Sequence, residues 1–96
     1  MDERSKLILL YDYYKDLLTD SQKGYFEKYY FDNLSLSEIS ENLKVSRNAV
    51  HKQLKAIEEK LNFYEEKLKL IEKYNKILNE VNDIKLKEKI TEILES

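Results

Sequence analysis

The chain has 96 residues and a formal net charge of −2, with 38% charged residues, one glycine, no proline and no cysteine. That length suits one domain, residues 1–96, with a modest core. The lack of cysteine excludes a disulfide framework and a thiolate metal site and suits a reducing cytoplasm. No apolar run approaches the roughly 18 residues a membrane span needs, and no signal peptide is visible. Little interrupts helix formation and apolar residues recur three and four apart, so the predicted class is all-α.

In chain order, the first predicted helix runs from Asp2 or Glu3 to Leu18, with the two acids at the positive end of its dipole. Leu7, Leu10, Tyr11, Tyr14, Leu17 and Leu18 make its buried stripe, widened by Ile8. Thr19 with Gln22 forms a capping box for a second helix near Asp20 to Phe31, where Tyr25, Phe26, Tyr29 and Tyr30 supply bulky core area. Gly24 lies inside that helix at a cost of about 1 kcal/mol against alanine; close approach of the first helix would account for it. Asp32-Asn33 is the stop, because asparagine tolerates a left-handed C-cap. Tyrosines at this spacing are expected to be core with the hydroxyl at the rim, rather than platforms for stacked bases, Tyr13 being the least core-like.

The next stretch, residues 34–61, organises the rest. Ser35 with Glu38 makes a capping box, and Leu34 can staple against Ile39. Ser46 caps another helix, with Val45 placed to staple against Val50. Leu36, Ile39 and Leu43 share one face, and Val50, Leu54, Ile57 and Leu61 share the next. Two short amphipathic helices joined by Lys44-Val45-Ser46 are the sequence form of a helix-turn-helix. The second helix turns Arg47, Asn48, His51, Lys52 and Lys55 to the side opposite its apolar face. Residues 44–57 carry four positive charges and no acid, whereas residues 1–43 and 58–96 are each net acidic. Positive charge is thus concentrated on the helix that would enter a groove.

From Ser46 no breaker appears until Asn82-Asp83, which predicts one long helix, with a bend or break expected near Asn62 if anywhere. Its apolar positions follow heptads, with Leu54, Leu61, Leu68 and Asn75 at a and Val50, Ile57, Tyr64, Ile71 and Leu78 at d. A second stripe of Phe63, Leu70, Tyr74, Ile77 and Val81 implies cover on two sides. Asn82 or Asp83 then caps a last helix, Ile84 to Leu94. A tail this apolar is expected to be a homodimer surface carried by Leu68, Ile71, Tyr74, Leu78, Val81, Ile90 and Ile93; folding back as a hairpin on the long helix is the competing arrangement.

Catalytic machinery is not apparent. His51 is the single histidine and lies on the basic face with no acid cluster beside it, there is no glycine-rich phosphate loop, and no serine is paired with a base and an orienting acid. No enzyme activity, cofactor or metal is expected.

Residues Thr19 to Leu61 resemble region 4 of bacterial sigma factors. Tyr29-Tyr30, then Asp32-Asn33-Leu34-Ser35-Leu36, then Val45-Ser46-Arg47-Asn48-Ala49-Val50, then Leu61-Asn62-Phe63-Tyr64-Glu65-Glu66-Lys67-Leu68 narrow this to the YlxM family, which the chain resembles over nearly its whole length. The resemblance implies a sigma region 4-like helix-turn-helix with a long helix and a C-terminal helical dimerisation tail (residues 62–96). It also implies a nucleic-acid-binding regulator of signal recognition particle expression or assembly. Its target would be DNA or the particle's RNA, with the particle's protein as a further partner and no membrane. Ser46, Arg47, Asn48, His51, Lys52 and Lys55 fall on or beside its recognition-helix positions, Asn48 where the family commonly carries glutamine. A protein-interaction adaptor and a plain DNA-binding transcriptional regulator remain the competing functions.

Overall fold

The computed structural model describes residues 1–96, which form six α-helices: α1 (Glu3–Tyr14), α2 (Asp20–Tyr30), α3 (Leu36–Leu43), α4 (Arg47–Leu68), α5 (Leu70–Glu80) and α6 (Ile84–Glu95). The all-α class is as expected. Four of the six helix starts follow the predicted caps, at Thr19, Ser35, Ser46 and Asp83, whereas α5 begins at Leu70 with no side-chain cap and α1 is capped by Asp2, expected only as a favourable charge there. Thr19 with Gln22 and Ser35 with Glu38 both close complete capping boxes, and Asp2, Ser46 and Asp83 accept first-turn amides. Asn33 adopts the left-handed conformation (φ 56°) that ends the α2 segment. No helix is long and apolar enough to cross a membrane.

Helix α4 is the axis, with α1, α2 and α3 packed around it. Leu7, Leu10, Tyr11, Tyr14 and Leu18 meet Phe26 and Tyr30 of α2 and Ile57 and Leu61 of α4 in the main core. The Tyr11 and Phe26 rings stack at 4.3 Å, and those of Phe26 and Tyr30 at 4.4 Å. Arg4 fastens α1 to the end of α2. Its guanidinium donates to the Tyr30 carbonyl (2.6 Å) and to Asn33 Oδ1 (2.9 Å), and sits over the Tyr30 ring. The tyrosines behave as core residues whose hydroxyls reach the rim.

Four expectations are corrected. The first α-helix stops at Tyr14, and a 3₁₀ turn (Lys15–Leu17) follows. Leu18 must be extended (φ −98°, ψ 153°) to lead into the Thr19 cap while turning its side chain inward, so the helix cannot continue. Leu17, expected in the buried stripe, is consequently 50% exposed. Gly24 has no close neighbour: a Cβ built there meets nothing within 4 Å. Val45 stays exposed and lies outside the cluster of Ile39, Val50 and Leu54, while Leu34 does pack against it.

The fourth correction is the largest. The helix from Ser46 runs straight through Asn62, whose side chain bonds back to the Glu58 carbonyl (2.9 Å), but it breaks at Lys69 (φ 55°, ψ 34°). Beyond the break α5 packs on α1 and α6 packs on α5. The last helix therefore folds back as a hairpin on α5, the second half of the predicted long helix, and α5 itself lies over α1.

Candidate nucleic-acid interface

Local chemistry sets the angle between α3 and α4. Lys44 ends α3 in the left-handed conformation (φ 56°), and the amides of Lys44 and Val45 both return to the Ser40 carbonyl, closing the helix end. Ser46 is extended, and its Oγ accepts from the Ala49 amide at 3.0 Å, which starts α4 one residue later. Ile39 of α3 is buried against Val50 and Leu54 of α4, with Leu34, Leu36, Tyr25 and Tyr29 around them. Two capped helices locked through one small apolar cluster hold the outward face of α4 in a fixed orientation.

That face carries Arg47, Asn48, His51, Lys52 and Lys55, all exposed, with the Ser46 cap beside them. At 3.6 residues per turn these five positions span an arc of about 140°. Val50, Leu54, Ile57 and Leu61 point the other way into the core. The structure thus brings every predicted groove residue onto one surface. An exposed α-helix has the width that a duplex major groove admits.

Two neighbours were missed in the sequence. Tyr29 and Glu58 join Tyr30, Leu36, His51, Leu54 and Lys55 around a depression of about 250 Å³ beside the basic strip. Glu58 accepts a hydrogen bond from the Tyr30 hydroxyl at 2.9 Å and sets an acidic limit to the strip. Its position one turn after Lys55 was readable; its partnership with Tyr30, 28 residues earlier, was not. No group of three or more His, Cys, Asp or Glu side chains is placed to hold a metal ion.

The tail residues are not brought to one surface. Ile71 packs against the main core, and the Tyr74 ring meets Tyr13 edge-on at 6.1 Å while its hydroxyl reaches Thr91 and Glu95. Leu78, Val81 and Ile90 are half-buried, whereas Leu68 and Ile93 are exposed.

The fold and this face define a helix-turn-helix protein. The whole chain, residues 1–96, matches the UPF0122 family, described as "Putative helix-turn-helix protein, YlxM / p13 like", and it belongs to that family. Among curated relatives, a UPF0122 protein of Oceanobacillus iheyensis is 44% identical over 55 residues, 57% of this chain and 52% of the relative. One of Desulforamulus reducens is 51% identical over 55 residues (57% and 47%), and one of Bacillus thuringiensis 42% over 55 residues (57% and 50%). The chain spans about half the length of the curated relatives it matches.

Proposed function

We propose that this protein is a cytoplasmic nucleic-acid-binding regulator that presents α4 to a groove as one half of a homodimer. Its target would be DNA or the RNA of the signal recognition particle, whose expression or assembly it modulates. The observation that carries groove binding is the exposed basic face of α4, held by the Ile39–Val50–Leu54 cluster in a chain that is otherwise acidic. The pathway assignment comes from the YlxM resemblance carried by Tyr29-Tyr30, Val45 to Val50 and Leu61 to Leu68; the family's description itself names only a helix-turn-helix. Self-association is supported by eight large apolar side chains exposed from Phe63 onward, Leu68 and Ile93 among them; the other expected contributors, Ile71, Tyr74, Leu78, Val81 and Ile90, are half-buried within one copy.

The test is binding of the purified protein to the particle's RNA, to its protein component and to random duplex, each at two salt concentrations. Phosphate contacts by Lys52 and Lys55 are each expected to contribute about −0.7 to −0.9 to the slope of log affinity against log salt. Converting both to glutamate is expected to abolish binding with the helical circular dichroism intact. Unchanged binding would remove α4 as the contact surface, and binding to the protein component alone would favour the adaptor function.

A further inference from the structure

The α4–α5 junction bends where the sequence repeats without a break. Leu61, Tyr64, Leu68, Ile71 and Leu78 keep helical spacing straight through Lys69, and neither glycine nor proline lies nearby. Lys69 nevertheless takes the left-handed conformation (φ 55°), which residues with a Cβ avoid.

Two side chains hold it there. In an uninterrupted helix the amides of Leu70, Ile71 and Glu72 would donate to the carbonyls of Glu66, Lys67 and Leu68. Here Leu70 donates to the Tyr14 hydroxyl oxygen (3.1 Å), Ile71 to Glu65 Oε1 (3.2 Å) and Glu72 to Glu65 Oε2 (3.2 Å). The Tyr14 hydroxyl in turn donates to Glu65 Oε1 at 2.5 Å. Straightening the helix would exchange three side-chain-held amide bonds for three backbone ones and free Lys69 from its left-handed state. What opposes this is the packing of α5 on α1, seen at Ile71 and at the Tyr13–Tyr74 contact. That packing is thin: neither α5 nor α6 has a buried residue.

We infer that the junction is a hinge, fastened by Tyr14 and Glu65, through which the α5–α6 hairpin is exchanged between two copies of this chain. In the open form α4 and α5 make one helix with a continuous apolar seam. Each hairpin then packs on the other copy's α1 through the contacts it makes in the closed form. A single copy that opened alone would lose the Ile71 contact with the main core and the Tyr13–Tyr74 contact with nothing in exchange. The exchange deepens the self-association proposed above by stating how the copies join, and it is separable from groove binding.

The chain has no native cysteine, so two single-cysteine proteins report on the exchange. Asp12→Cys and Asn75→Cys lie on opposite walls of the cleft, both at exposed positions. The two full-length proteins are mixed in equal amounts across a range from micromolar to hundreds of micromolar and treated with a short bismaleimide. A crosslinked product containing one chain of each kind is expected, rising with concentration. In Tyr14→Phe or Glu65→Ala backgrounds, which unfasten the junction, it should rise severalfold. With Lys69→Gly, which favours the left-handed bend and disfavours a helix interior, it should fall severalfold. Circular dichroism selects whichever unfastened variant keeps its helix content. A dimeric mass by light scattering with no mixed product would overturn the exchange while leaving self-association standing. Equal yields from all variants would also overturn it.

Discussion

Three core tyrosines donate their hydroxyls to carboxylates at the rim: Tyr11 to Glu27, Tyr14 to Glu65 and Tyr30 to Glu58. Burial pushes the Tyr14 hydroxyl up to about 12, helped by Glu65; the same causes raise Tyr11, beside Glu27, and Tyr30, beside Glu58. A folded-state pKa above the unfolded value of about 10 means that the native state keeps its proton longer. This contribution to stability is fully present below pH 10 and is lost as pH rises from about 10 toward about 12. The denaturant midpoint of the wild type is therefore expected to fall across that window, and less steeply in Tyr11→Phe. Equal slopes for the two proteins would assign the loss to other groups. The capping residues were legible because their partners stand two or three positions away. The tyrosine–glutamate pairs and the Arg4 clasp were not, because they join residues 16 to 51 positions apart.

At the scale of one element, α2 carries an avoidable cost. Gly24 adopts no positive φ and faces open space, so it has no steric reason to lack a side chain. Gly24→Ala is expected to stabilise the protein by up to about 1 kcal/mol, through helix propensity and a less flexible unfolded chain. For a domain of this size that is a rise of about 4–8 °C in Tm, which a thermal melt resolves. An unchanged or lower Tm would point to a neighbour that the free helix face does not show. Helix α4 illustrates the opposite relation. Its start was set locally by Ser46, while its end needs Tyr14, on another helix and 55 positions before Lys69, together with Glu65 of α4, which accepts two of the three freed amides.

Across the whole molecule, burial is lopsided. Every buried residue lies between Leu7 and Leu61, and the remaining third of the chain has none. The radius of gyration is 16.2 Å, against about 12.5 Å for a compact chain of this length, and the longest extent is 52 Å. An extended tail with Ile84 73% and Ile93 69% exposed leaves apolar area that self-association would cover. Light scattering at micromolar concentration is expected to give twice the 11.6 kDa chain mass. Leu86→Glu with Ile93→Glu, both at exposed positions, should return it to the single-chain value where the copies meet through this surface, and leave a dimeric mass where hairpin exchange alone joins them. A wild-type mass of 11.6 kDa would remove the paired presentation of α4 from the proposed function.

The all-α class, every helix start but that of α5, the helix-turn-helix and the grouping of Arg47, Asn48, His51, Lys52 and Lys55 were determined by sequence alone. Each depends on spacing within one or two turns, where 3.6-residue periodicity and cap geometry leave little choice. Tertiary structure decided the rest: the early end of α1, the course of α5 over α1 and the acidic limit at Glu58. The break at Lys69 is the clearest instance. The local sequence favours continuation; the backbone leaves the helix where Glu65 accepts two of the freed amides and the distant Tyr14 hydroxyl, which also donates to Glu65, accepts the third. Contacts at such separation follow from how helices pack, which local periodicity does not encode.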